Sequence, residues 1–171
     1  MTPGRLAGGA ATVSGLLLRS AQRWPDADAL VEGQTVLTHG QAWARAQTVA
    51  ARLAARGVRP GDRIGLFMPN GWRYAVAYYG VQLAGAVAVL VNTRFTAPEI
   101  DYVLTDSRAD VVVVDAGLAS RVPQTCAHWD VDELTAELVT VSELPRNASG
   151  KVIKKQLAGL VSEIPPERAS R

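Results

Sequence analysis

The sequence predicts an α/β fold in which a partly parallel sheet is covered by helices. Three short apolar runs have the length of buried strands, at residues 62–68, 85–92 and 110–115. Helical patterns separate them, because apolar residues recur every three or four positions across 72–84 and 96–105. A strand, a helix and a second strand form a right-handed crossover with parallel strands, which needs helical cover on both faces.

The first crossover, from Asp62 to Asn92, is the centre of this predicted fold. Asn70 is predicted to cap the helix after the first strand, and Gly85 is predicted to end it. The apolar face of that helix is predicted to consist of Trp72, Ala75, Val76, Tyr79 and Leu83. The uncharged run from Tyr74 to Val91 also reaches the length of a membrane span. Its internal glycines and its change of period favour two buried soluble elements instead.

The segment before the crossover contains a helix, a hairpin and a longer helix. The first helix is predicted from Ser14 to Trp24, and short strands at 29–31 and 35–37 form the hairpin. Thr38 and Gln41 have the spacing of a capping box that starts the second helix. Its buried stripe is predicted to be Ala42, Ala46, Val49, Ala50 and Leu53, whereas Arg45, Arg52 and Arg56 face elsewhere.

A second capping box begins the helix that follows the crossover. Thr96 and Glu99 supply it, and the helix is predicted to run to about Thr105. After the strand at 110–115 the periodicity stops, so residues 116–138 are predicted to form an irregular junction.

Cys126 and His128 lie two residues apart in this junction, which invites a metal-site interpretation. The chain holds one Cys and two His, so no second pair of such ligands exists. We therefore predict no metal site.

The totals exclude several classes of protein. Lys and Arg number 18 and Asp and Glu 16, so the formal net charge of +2 does not favour nucleic acid. A single cysteine fits a reducing compartment. The apolar residues after Arg5 resemble a signal peptide weakly, because one basic residue precedes them. We predict a cytoplasmic protein without a transmembrane segment.

One loop has the outline of a phosphate-binding site. Residues 145–151 end in Gly150 and Lys151, but Pro145 and Val152 replace the Gly and the Ser or Thr of the NTPase motif. From spacing alone, a solvated loop before an amphipathic helix explains this stretch as well as a ligand site does.

The residues around that loop resemble the last motif of the acyl-adenylate-forming family, which contains acyl-CoA synthetases, adenylation domains and luciferases. The stretch concerned is Glu143–Leu157. The chain also resembles the opening of the same family, in the same order, at residues 23–31, 37–38, 57–62, 68–70, 83–86, 91–94 and 99–107. Within the family the chain is most similar to fatty and medium-chain acyl-CoA ligases.

The resemblance implies a two-step reaction. A carboxylate attacks the α-phosphate of ATP, which gives acyl-AMP and pyrophosphate, and the thiol of CoA then takes the acyl group. Lys151 matches the family's adenylation lysine, which stabilises the shared negative charge, and Gly150 and Lys151 are the candidate cofactor-binding pair. The cofactors implied are ATP, Mg and CoA, and the substrate is a fatty or other carboxylic acid.

Other parts of the family pattern are missing from the sequence. Between Asp115 and Val139 there is no Ser/Thr/Gly-rich loop ending in Lys-Gly, and the motifs for adenine, magnesium and ribose are absent. The resemblance divides the chain into a truncated N-terminal AMP-binding subdomain (1–115), the junction (116–138) and two C-terminal parts. These parts are a strand–loop–helix remnant carrying the lysine (139–164) and a tail (165–171).

Three functions remain open at this point, and the least favoured of them is a fragment that still catalyses the reaction alone. The first is a truncated acyl-CoA synthetase that binds none of these cofactors and does not adenylate alone, with Lys151 idle. The second is a non-catalytic interaction module that self-associates or docks on a full-length relative. We also expect that ending the chain after Asp115 would leave the stability of the remaining core nearly unchanged.

Overall fold

The computed structural model describes residues 12–109 and 111–136, and within them it confirms the predicted α/β fold. The helices are α1 (Val13–Arg23), α2 (His39–Ala55), α3 (Trp72–Leu83), α4 (Ala97–Ser107) and α5 (Val131–Thr135), with a 3-10 helix at Ala116–Arg121. The strands are β1 (Asp28–Glu32), β2 (Thr35–Thr38), β3 (Arg63–Phe67), β4 (Val87–Leu90), β5 (Val111–Val114) and β6 (Ala127–Asp130). No helix of the described part is both long and apolar enough to cross a membrane.

The main sheet has four parallel strands in the order β4-β3-β5-β6. Ile64 of β3 pairs with Ala88 of β4 on one side and with Val111 of β5 on the other, so β3 is a central strand. The predicted crossover is therefore confirmed. The predicted hairpin is also present as the separate antiparallel pair β1–β2.

Helices cover both faces of the sheet. On one face α2, α3 and α5 bury Leu66 of β3 and Val113 of β5, and on the other α4 buries Phe67 and Val112. The whole predicted stripe of α2 is buried. The predicted apolar face of α3 is confirmed only in part: Val76 and Leu83 are buried, whereas Trp72, Ala75 and Tyr79 are half-buried. Because this helix lies between the sheet and α2, its buried residues also include Ala77, Gly80 and Val81.

Two of the three predicted N-terminal helix caps are confirmed. The boxes of Thr38 with Gln41 and of Thr96 with Glu99 are both formed. The prediction for Asn70 was wrong, since the N-cap of α3 is Gly71. Its first-turn amide is satisfied from elsewhere in the fold: the Trp72 amide donates to the carboxylate of Glu32 at 3.0 Å. Glu32 lies in the hairpin, 40 residues before Trp72, so the sequence around Asn70 does not indicate this contact.

Strand β4 is more exposed than its apolar sequence predicts. Val87 and Leu90 are 50% and 54% exposed, although the run was expected to be buried. The reason is position, because β4 is hydrogen-bonded to β3 on one side and is the outer strand of the sheet in the described residues. An apolar run reports strand length and composition but does not distinguish a central strand from an outer one.

The prediction of an irregular segment from 116 was also wrong as far as Ala136. This segment forms the 3-10 helix, β6 and α5, and it buries Val122, Val131 and Leu134. Its strand, Ala-His-Trp-Asp, has four residues and its last helix has five, so both are too short for their periodicity to stand out in the sequence. The described residues belong to one compact unit that ends at Ala136, and the predicted elements between 139 and 164 lie outside them.

Candidate functional site at the carboxyl edge of the sheet

The carboxyl ends of the four parallel strands lie along one edge of the sheet. In open α/β sheets, ligands bind at this edge, between neighbouring strands whose following helices lie on opposite faces. Here these strands are β3 and β5, because α3 follows β3 on one face and the 3-10 helix follows β5 on the other. The fold therefore places the candidate site where residues 68–71 and 115–117 leave the sheet.

Arg121 organises one side of this edge. Its Nη1 donates to the Thr93 carbonyl at 2.8 Å, its Nη2 donates to the Phe95 carbonyl, and its guanidinium lies 5.3 Å from the Phe67 ring centroid. The 3-10 helix is thereby tied to the loop that follows β4. Arg121 was missed in the sequence because its partners lie 26 and 28 residues earlier and no local motif marks the contact.

Short-range hydrogen bonds use further polar groups of the same edge. The Asp115 carboxylate accepts from the Gly117 amide at 2.9 Å, and the Asn92 side-chain carbonyl accepts from the Arg94 amide at 2.9 Å. These bonds hold the loops after β5 and β4 in turn geometry.

The amino end of α3 lies on the other side of the edge. A helix N-terminus attracts anions, since its amides are unpaired and its dipole is positive there. In this chain the Glu32 carboxylate already lies there, and a side chain on Gly71 would place its Cβ 2.6 Å from that carboxylate. The guanidinium carbons of Arg73 and Arg45 lie 4.6 and 5.2 Å from the Trp72 ring centroid.

Tyr74 and Glu99 have shifted pKa values. Burial, and to a smaller extent the neighbouring Tyr78, raise the pKa of the Tyr74 phenol above its ordinary value. Hydrogen bonds from Thr96, first from its backbone amide and then from its hydroxyl, hold the pKa of the Glu99 carboxyl below its ordinary value. Both shifts have structural causes, since Tyr74 is packed against the core and Glu99 caps α4.

The structure describes two of the four residues that the sequence singled out. Gly150 and Lys151 lie outside the described residues. Cys126 lies at the amino end of β6, with its Sγ 3.6 Å from the Ala109 carbonyl, and His128 is exposed on β6. Across 12–109 and 111–136, no three His, Cys, Asp or Glu side chains come together as a metal site.

Three polar groups of the carboxyl edge already have partners within the protein. Its arginine and its loop carboxylate bond to neighbouring loops, and the helix N-terminus has a carboxylate against it. A second anion beside Glu32 would meet like charge. The edge thus has the topology of a nucleotide site, and these three groups are engaged by the protein itself.

Comparisons with known proteins identify the family. The model of the AMP-binding enzyme family matches residues 17–168. The chain belongs to this family. The match begins inside α1 and extends past the described residues, through the stretch that contains Gly150 and Lys151.

Several acyl-CoA ligases are similar in sequence to this family member. FadD13, a long-chain-fatty-acid–CoA ligase of Mycobacterium tuberculosis H37Rv, is 39% identical over 117 residues, which are 67% of this chain and 23% of FadD13. Feruloyl-CoA synthase of Amycolatopsis is 40% identical over 96 residues, which are 56% of this chain and 20% of that enzyme. The chain therefore spans less than a quarter of the length of these two relatives.

Solved structures agree with the fold. O-succinylbenzoate coenzyme A synthetase from Bacillus subtilis, in complex with AMP, has a TM-score of 0.67 and 28% identity over 77% of this chain and 36% of that chain. A fatty acyl-CoA synthetase of Mycobacterium tuberculosis has a TM-score of 0.63 and 34% identity over 68% of this chain and 26% of that one. This AMP-binding family member thus has the α/β sheet fold found in acyl-CoA synthetases.

Proposed function

We propose that this chain is a shortened acyl-CoA ligase that does not adenylate a carboxylic acid by itself. The family reaction would convert a fatty or other carboxylic acid to acyl-AMP and then to acyl-CoA. The observation that carries the proposal is the occupied carboxyl edge, where Arg121, Asp115 and Glu32 bond to the protein's own backbone. The sequence between Asp115 and Val139 adds no phosphate loop.

In this proposal Lys151 can act only where the other parts of an adenylation site are present. A positioned ammonium stabilises developing negative charge only where the reactants are already held beside it. ATP, Mg and CoA would be the cofactors of a complete enzyme, and the short chain is expected to bind none of them. The relatives' names include long-chain fatty acids and oxalate, so the acyl group is left at the level of a carboxylic acid. We place the chain in the cytoplasm, because its single cysteine suits a reducing compartment.

Pyrophosphate release tests this function. We expect no acyl-dependent pyrophosphate from the purified chain with ATP, Mg, CoA and fatty acids of several lengths, and no difference between wild type and Lys151→Ala. FadD13 assayed in parallel shows that the conditions support the reaction. Acyl-dependent release that disappears in Lys151→Ala would contradict the proposal and identify the chain as a working ligase.

A second candidate is a non-catalytic interaction module that self-associates or docks on a full-length relative. The observation in its favour is the half-exposed apolar strand β4, represented by Val87 and Leu90. Folded proteins usually protect an apolar strand edge from solvent. Co-sedimentation of the chain with FadD13 tests docking, and independent sedimentation of the two proteins at all ratios would contradict it.

A further inference from the structure

The outer side of β4 presents unpaired backbone groups. On its inner side, the Val87 amide donates to the Asp62 carbonyl at 2.8 Å and the Val91 amide donates to the Leu66 carbonyl at 3.0 Å. Backbone direction alternates along a strand, so the N–H and C=O groups of Ala88 and Leu90 point outward. Within 12–109 and 111–136, no strand pairs with β4 on that side.

This edge lacks three of the features by which edges usually avoid association. Charged side chains, prolines and bulges normally protect an outer strand. The chain carries no charged residue between Arg73 and Arg94, and β4 itself is Val-Ala-Val-Leu. The opposite outer strand, β6, contains His128 and ends in Asp130. The unprotected edge is therefore specific to β4.

We propose that β4 pairs antiparallel with β4 of a second copy of this chain. Outward-facing residues must form the hydrogen-bonded pairs, so Ala88 lies opposite the partner's Leu90 and Leu90 opposite the partner's Ala88. This register gives four backbone hydrogen bonds. A twofold axis then passes beside Val89, which lies opposite the partner's Val89 in a non-hydrogen-bonded pair.

A second copy is favoured over an unrelated strand because the edge complements itself. The register satisfies the outward groups of both strands, and the uncharged sequence sets no like charges opposite one another. A twofold axis perpendicular to the sheet also keeps the α3 face of each copy on the same side. The dimer would hold a continuous eight-stranded sheet, with Leu90 packed across the partner's Ala88.

The expected dimer is reversible. A pair of four-residue strands buries less than the ~1,200 Å² of a standard stable interface. Its population should therefore rise with concentration. This inference deepens the second proposed function, since it names a second copy as the partner, and it does not depend on whether the chain docks on a full-length relative.

Sedimentation equilibrium of the full chain tests the dimer. Over about two decades of concentration, the wild-type mass should rise toward twice that of the chain. Leu90→Lys should hold the mass near that of one chain, because it puts like charges beside the axis. Val31→Lys is the matched control, since Val31 is 67% exposed on the hairpin, and it should dimerise like wild type. A wild-type chain that stays monomeric throughout overturns the proposal.

A crosslink tests the register and does not depend on the lysine variant folding. In a Cys126→Ser background, Val89→Cys should give a disulfide-linked dimer on mild oxidation, because non-hydrogen-bonded pairs bring the two Cα atoms to ~4.5 Å. Tyr102→Cys, exposed on α4, should stay unlinked. Equal linking of both variants, or dimers that Leu90→Lys leaves intact, would overturn the β4 pairing. If the chain fails these tests but still binds FadD13, the second proposed function holds and the β4 dimer does not.

Discussion

The crossover at 62–92 and the segment at 111–136 contribute strands to the same sheet, yet the sequence pattern predicts the first far more clearly than the second. Leu66 and Val76 from the first and Val113, Val131 and Leu134 from the second pack in one buried cluster. The first region is visible as apolar runs with a clear period. In the second, β5 alone has such a signal. Burial in a shared core therefore does not require that each element carry its own pattern.

Arginines distant in sequence hold the second region in place. Arg52 Nη1 donates to the carbonyls of Glu133, Leu134 and Ala136, each at 2.9 Å, across more than 80 residues. Arg56 lies 3.5 Å from the Glu133 carboxylate. These side chains lie outside the buried stripe, as predicted. Arg52 satisfies carbonyls that the short helix α5 leaves unpaired. Hydropathy patterns cannot reveal such contacts.

The largest expected effect comes from removing the second region. Ending the chain after Asp115 deletes β6 and α5 and uncovers Val113, so we now expect a large fall in thermal midpoint or loss of folding. Ending it after Ala136 keeps the compact unit and should leave the midpoint nearly unchanged. Thermal unfolding followed by circular dichroism compares the two chains. Equal thermal midpoints would show that the core does not need residues 116–136 to fold.

Single core truncations compare the regions directly. Leu66 in β3 and Leu134 in α5 are both fully buried. Replacing either by Ala should cost about 3 kcal/mol of unfolding free energy, since a buried leucine loses transfer energy and leaves a cavity. Urea denaturation measures both variants. A loss below about 1 kcal/mol for Leu134→Ala alone would mean that α5 adds little to the core.

The arginine anchor should have a smaller effect. Arg52→Ala leaves three carbonyls without this donor, and we expect a loss of about 1–2 kcal/mol, discounted for solvent at this partly exposed site. Arg59→Ala is the control, because the Arg59 side chain has no hydrogen bond or ion pair within the described residues. Equal stability of the two variants in urea would show that the Arg52 side chain does not stabilise the second region.

The smallest effect concerns α4, the helix that connects the two regions. The lowered pKa of Glu99 means that its charged form stabilises the fold at pH values above the ordinary Glu range. That contribution is lost as the pH falls through the lowered pKa. The difference in thermal midpoint between wild type and Glu99→Gln should therefore shrink in acid. The cost of Gln41→Ala in the α2 box should not change with pH, because Gln41 does not ionise.

The sequence predicted those parts of the fold whose cause is local. Thr38 with Gln41 lies within one turn, and the buried stripe of α2 repeats at helical spacing. Prediction failed where the cause lies elsewhere in the chain. At the start of α3, the Glu32 carboxylate accepts from the Trp72 amide, and at β4 the exposure depends on which strands pair with it.

The candidate site divides in the same way. Family resemblance indicated the reaction and the lysine at 151, but no sequence pattern indicated that Arg121 ties the loops at the carboxyl edge. That contact depends on two chain segments which only the folded sheet brings together.

Native-state hydrogen exchange tests most directly whether 62–92 and 111–136 form one cooperative unit. We predict that the amides of β6 and α5 exchange with nearly the same free energy as those of β3, and that Leu66→Ala lowers both sets equally. The contradicting result would be fast exchange across 127–135 while 64–67 stays protected. Strand β6 and helix α5 would then open independently of β3, as their sequence first suggested.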